Sequence, residues 1–113
     1  MNPMMNRAGG GSGNLTSLVV RGSWDSYPTL VYNNPNNKIV KMITVTIYGG
    51  TTDVDFEVVI TDITNNVVIG KMRNGGRELT KTFVVDKKCK IEMRMTEADR
   101  GPHKILALTA LEI

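Results

Sequence analysis

Cys89-Lys90-Ile91-Glu92-Met93-Arg94-Met95-Thr96 alternates without a break, with Cys89, Ile91, Met93 and Met95 on one parity and Lys90, Glu92, Arg94 and Thr96 on the other. Successive side chains of a strand point to opposite faces, so this period of two predicts a strand that buries one face and wets the other. The remaining chain organises around that buried face.

Upstream, Leu15–Arg21 suits a first strand that Gly22 ends or bulges, and Thr29–Tyr32 is a short β-branched and aromatic piece. Asn33-Asn34-Pro35-Asn36-Asn37 is a turn by composition. In Lys38–Tyr48, Ile43, Val45 and Ile47 share a face, and Val40 and Met42 fall out of phase, which predicts a bulge near Lys41 or Met42. Phe56, Val58 and Ile60 alternate after the Gly49–Asp53 turn, and a hairpin with the preceding strand is expected. Asp62–Asn66 turns the chain into a strand over Val67–Met72. Arg73-Asn74-Gly75-Gly76 supplies residues tolerant of positive φ for a tight hairpin into Arg77–Val85, where Leu79, Phe83 and Val85 share a parity and Lys81 is the exception. Downstream, Lys104–Ile113 holds Ile105, Ala107, Thr109, Leu111 and Ile113 in register and has Leu106 and Leu108 on the other parity. Apolar on both sides, it fits a central strand or one covered by a partner.

About eight strands, spaced by roughly ten residues and separated by Asn, Asp and Gly turns, predict an all-β antiparallel sandwich, jelly-roll or immunoglobulin-like. The 113 residues suffice for one such domain over 14–113. Residues 1–13, with four glycines among the last five, read as a flexible N-terminal arm. Met4 and Met5 beside Arg7 are its candidate anchors for docking on a neighbouring subunit. Apolar residues make up 41% and aromatics 5%, so the core must rest on Val, Ile, Leu and Met. A net charge of +3, with Lys and Arg dispersed among acidic neighbours, does not favour nucleic acid as partner. Without a signal-like or membrane-spanning apolar run, a soluble protein made in the cytoplasm is expected, with no membrane partner.

The chemistry-bearing inventory is thin. One cysteine, Cys89, rules out an internal disulfide, and its parity makes it a core hydrophobe rather than a reactive thiol. His103, the single histidine, lies in a Gly-Pro loop, and a Cys89–His103 couple would require Cys89 to leave the core. Asp53 with Asp55, and Glu97 with Asp99, flank turns where acidic residues serve the backbone. No enzyme is expected, and no cofactor or metal, although Asp25, Asp53 and Asp62 are oxygen ligands of the kind calcium takes in sandwich loops. Trp24 and Tyr27, three residues apart beside Asp25 and Arg21, have the make-up of one edge of a sugar site, since aromatic faces with a few polar groups bind carbohydrate. In a domain poor in aromatics, Trp24 also suits a core plug. Arg73, Arg77, Lys87, Lys88, Lys90 and Arg94 are either a basic surface or the wet side of a sheet.

The final quarter, Cys89–Met95, a Gly-Pro loop and then Leu108-Thr109-Ala110-Leu111-Glu112-Ile113, resembles the end of discoidin-type, galactose-binding-like jelly-roll modules. Those domains run longer and carry more aromatics, so no binding residue transfers. In format, a small β domain behind a Gly-rich arm is similar to small virion proteins such as phage decoration, fibre or tail components. Together these features imply a structural or interaction protein that assembles as a homo-oligomer or on a virion, with a carbohydrate-binding module as the contrary class.

Overall fold

The computed structural model describes residues 13–49, 54–99, 101 and 103–113. Met4, Met5, Arg7 and Asp53 lie outside these residues. Eight strands follow in order: β1 (Asn14–Gly22), β2 (Thr29–Tyr32), β3 (Val40–Tyr48), β4 (Phe56–Asp62), β5 (Val67–Arg73), β6 (Leu79–Lys87), β7 (Ile91–Ala98) and β8 (Lys104–Glu112).

They form two four-stranded antiparallel sheets, ordered β1-β8-β3-β6 and β2-β7-β4-β5. The pairs β1 with β8, β2 with β7, β3 with β6 and β4 with β5 are those of one long hairpin whose tip is the β4–β5 turn. Wrapping that ribbon on itself adds β3 with β8 and β4 with β7 and closes a jelly roll rather than an immunoglobulin-like arrangement.

The alternation read from Cys89–Thr96 holds. Ile91, Met93 and Met95 are buried with Phe56 and Val58, while Glu92 and Arg94 face outward. The phase change in β3 is a register shift between Val40 and Met42, which lets both Val40 and Ile43 point inward. Asn34 and Asn37 take positive φ in the 33–37 turn, where Asn37 N–H donates to the Asn34 carbonyl at 3.0 Å.

Two expected hairpins are corners instead. β3 and β4 lie in different sheets, as do β5 and β6, so each connection crosses the sandwich. Gly75 and Gly76 still adopt positive φ, and the buried Asn74 fixes the corner. Its side chain accepts from Phe56 N–H at 2.8 Å and donates to the Val54 carbonyl at 2.9 Å. β8 is central, as its two-sided apolar pattern implied, but Lys104, Leu106, Leu108, Ala110 and Glu112 are its buried parity.

Candidate functional site

β1 ends at Gly22, where an added Cβ would lie 2.6 Å from the Pro28 ring, so the 23–28 connection can return tightly to β2. Within it Ser26 N–H donates to the Ser23 carbonyl at 2.7 Å, and Ser23 N–H donates to Ser26 Oγ at 2.6 Å. Lys104, the first residue of β8 and fully buried, sends its ammonium into the loop from below. Nζ donates to the Trp24 carbonyl at 2.6 Å and the Ser26 carbonyl at 3.1 Å, and it sits 5.4 Å from the centre of the Tyr27 ring. The Tyr27 hydroxyl donates to the Ala98 carbonyl at 3.4 Å. Trp24 remains 57% exposed and Tyr27 51%, so Trp24 is not a core plug. The core closes without it because Val, Ile, Leu and Met from both sheets already fill the interior. Asp25 and Arg21 are exposed on the same connection and on the strand leading into it.

The outer face of the β1-β8-β3-β6 sheet is a second feature. Directly opposed residues of antiparallel strands share a face. The register therefore lays down one row of Leu15, Leu111, Met42 and Val84, a second of Ser17, Thr109, Thr44 and Thr82, and a third of Val19, Ala107, Thr46 and Thr80. None of these residues is charged. Ser17 and Thr109 hydroxyls are 2.9 Å apart and those of Thr46 and Thr80 2.8 Å, so the polar atoms largely satisfy one another within the face. Leu15 and Val84 stay 67% and 68% exposed. Charge occurs at the rim, as Arg21 at one end and the Lys41–Asp86 ion pair, 2.9 Å, at the other. The opposite sheet is different: its outer face carries Glu57, Lys71, Arg73, Glu92 and Arg94.

Several titratable groups elsewhere are committed to structure. Glu112 Oε1 accepts from Asn14 Nδ2 at 2.8 Å, Thr16 Oγ1 at 3.0 Å and Asn36 Nδ2 at 2.9 Å, and its Oε2 accepts from the Tyr32 hydroxyl. Arg73 binds Asp55 at 2.8 Å and Glu97 at 2.9 Å, which raises its guanidinium further above the usual arginine value through the bonds to Glu97 and Asp55. Arg94 pairs with Glu92, so Arg73 and Arg94 are spent on neighbouring carboxylates rather than gathered into a basic surface. Asp62 accepts from Thr64 N–H, Asn65 N–H and Asn65 Nδ2 in the β4–β5 turn. Burial pushes its pKa up, but these bonds outweigh it and leave the carboxyl below its ordinary value.

Cys89 is buried, and burial together with Asp62 raises its thiol to about 11. Cys89 precedes β7 and His103 follows it, so the 8-residue strand separates them by about 26 Å and no couple forms. Cys89 is expected to react with a disulfide reagent at pH 8 at least about a hundredfold more slowly than free cysteine, and at the normal rate once denatured. A rate near that of the free thiol in the folded protein would show that it is accessible.

Asp25 and Asp62 sit at opposite ends of the sandwich, and among the described residues no group of three or more His, Cys, Asp or Glu could hold a metal ion. No described helix is long and apolar enough to cross a membrane. Sequence reasoning misses Lys104 and Glu112. The available signal is the even parity of β8, an apolar run flanked by a charge at each end.

No protein-family model matches the sequence, and no curated protein matches it. Solved structures do resemble the fold. The SPBc2 prophage-derived protein YomS superposes with a TM-score of 0.62 at 12% identity, covering 98% of this chain and all of that one (100%). A carbohydrate-binding module from glycoside hydrolase family 9 (Cel9A) of Ruminococcus flavefaciens FD-1 gives 0.52 at 7%, covering 89% and 98%. The Drosophila NLP-core, described in terms of pentamer formation and histone binding, gives 0.50 at 12%, covering 88% and 97%. At these identities the likeness establishes the jelly-roll fold and nothing finer.

Proposed function

We propose that the protein is a non-enzymatic assembly subunit whose uncharged β1-β8-β3-β6 face packs on the same face of a second copy. The observation that carries this is the segregation of charge: three registered rows across four strands without one ionisable side chain, against an opposite sheet studded with them. A surface meant for water gains solubility from Lys and Glu, whereas the centre of an interface excludes them and leaves them to the rim. A face without charge can meet its own copy with no like-charge contact, even on a chain of net charge +3.

The area is of the right order. Four strands about 4.8 Å apart and eight residues long at about 3.4 Å give roughly 500 Å², so two faces bury about 1,000 Å², near the lower bound for a specific contact. Residues 1–12 supply the remainder in this reading. They lead into Gly13, where an added Cβ would lie 2.4 Å from Leu111 Cδ1, beside the edge strand that borders the face. Met4 and Met5 stand nine and eight residues before Gly13, a chain length that can span up to about 30 Å, enough to place them as apolar anchors, and Arg7 beside them, on the second copy. A virion or similar particle is the setting that suits such a subunit, in accord with a prophage-derived protein and a pentamer-forming one among the structures of like fold.

Light scattering on the full chain tests this. A mass of at least twice 12.4 kDa is expected, falling to that of one chain in Thr109→Glu, which puts a carboxylate from each copy into the middle row of the contact. The substitution should raise the dissociation constant at least about a hundredfold, since like charges so placed cost several kcal/mol. A monomeric parent chain, or a variant that keeps both native circular dichroism and the oligomer mass, would overturn the reading.

A further inference from the structure

We infer that the 23–28 connection is a carbohydrate-binding platform, with Trp24 and Tyr27 as the stacking rings and Lys104 as the buried residue that positions them. The inference does not rest on assembly through the sheet face.

An exposed aromatic pair on a floppy loop would be unremarkable, because ordering it on a ligand would consume much of the binding energy. Here the ordering is already done. The loop is closed on itself by Ser23 and Ser26, held against Gly22 by Pro28, and pinned by an ammonium that bonds the carbonyls of Trp24 and Ser26. Tyr27 is fixed by its hydroxyl on Ala98 and by the cation near its ring, yet about half of its surface stays in water. Taking an ammonium out of solvent is costly, and what offsets it here is two backbone carbonyls and the Tyr27 ring, which fix the course of the loop that carries both aromatics.

The ligand class follows from the ring chemistry. A pyranose presents a patch of axial C–H groups, which packs on an indole or phenol face, and a girdle of hydroxyls. Arg21, one position before Gly22, and Asp25, between Trp24 and Tyr27 in the sequence, are exposed polar residues of the same segment. The platform lies at the end of β1 remote from Gly13. Subunits paired through the neutral face would thus display several platforms at once and gain avidity from weak single contacts.

Trp24 is the only tryptophan, so its emission reports this loop alone. The full chain is titrated with a panel of neutral pyranose oligosaccharides: gluco-, galacto-, manno- and xylo-configured. A saturable change in emission with at least one series is expected. By calorimetry, Trp24→Ala and Tyr27→Ala should each weaken that binding at least about tenfold. Thr109→Glu should leave the affinity of the isolated subunit unchanged. The absence of a saturable change across the panel would overturn the inference, as would Trp24→Ala binding like the parent. It would also fail if the emission followed protein concentration rather than sugar, which would place the rings in a protein contact.

Discussion

Glu112→Ala is expected to lower the unfolding free energy by about 3–5 kcal/mol, read as a drop in denaturant midpoint at constant slope. The carboxylate is buried beneath the termini of the sheet and takes four side-chain donors from three parts of the chain: β1, β2 and the turn after β2. Alanine would leave the buried Tyr32 hydroxyl with the desolvation cost of an unmet donor, and would take from Asn14, Thr16 and Asn36, nearer the surface, the acceptor they share. Tyr32→Phe removes only one of the four and should cost about 1–2 kcal/mol. The network also predicts a pH dependence. Burial alone would raise the Glu112 pKa, but the bonds from Tyr32, Asn36, Asn14 and Thr16 outweigh it and hold it at about 2, against an ordinary 4.5. Burial, then the bond to Glu112, raises the Tyr32 phenol above its ordinary value, so it stays a donor throughout the useful range. A carboxyl lowered on folding stabilises fully above its unfolded pKa, and the contribution is lost as pH falls through the folded one. Parent stability should therefore decline between about pH 5 and pH 2 more steeply than that of Glu112→Gln. Parallel profiles for the two would show that Glu112 is not held ionised.

The parity of Ile91, Met93 and Met95 is legible in the sequence because burial of one face is a local consequence of the pleat. The bulge between Val40 and Met42 is legible for the same reason: where alternation breaks and resumes within one strand, an extra residue restores the phase. Strand partners are not legible. Alternation says which face of β3 is dry, but β3 finds β6 and β8 rather than its neighbour β4 because the ribbon wraps, and no local pattern encodes wrapping. The Gly75–Gly76 corner shows the limit well. Its positive φ is readable, yet the same geometry serves a hairpin or a passage between sheets. Of the candidate site, Trp24, Tyr27, Asp25 and Arg21 are readable as residue types, whereas their support is hidden. A lysine at the start of a strand reads as solvated, and only the tertiary position of the loop above it turns Lys104 inward. The uncharged face is present in the sequence as the outward parity of β1, β3, β6 and β8, but its continuity emerges only when the register aligns Thr109 with both Ser17 and Thr44.

Lys104→Met is expected to separate the two roles of that residue. Methionine keeps the apolar stem packed, so the loss is confined to the ammonium. Two carbonyl oxygens, those of Trp24 and Ser26, then lack the donor that met them, while the desolvation cost of the buried charge disappears. These terms oppose, and a net destabilisation of about 1–3 kcal/mol is expected, against about 3–5 kcal/mol for Lys104→Ala, which also leaves a cavity. Global stability is the smaller readout. Freed of its pin, the loop should sample several conformations on the nanosecond scale, and Trp24 should show a faster anisotropy decay in the folded variant. Oligosaccharide affinity should fall about tenfold or more even at temperatures where the variant is fully folded, because the rings must be ordered at the moment of binding. A merely structural lysine would lower stability and leave both the anisotropy and the affinity of the folded molecule as they were. That outcome would detach Lys104 from the platform while leaving the test on Trp24 and Tyr27 standing.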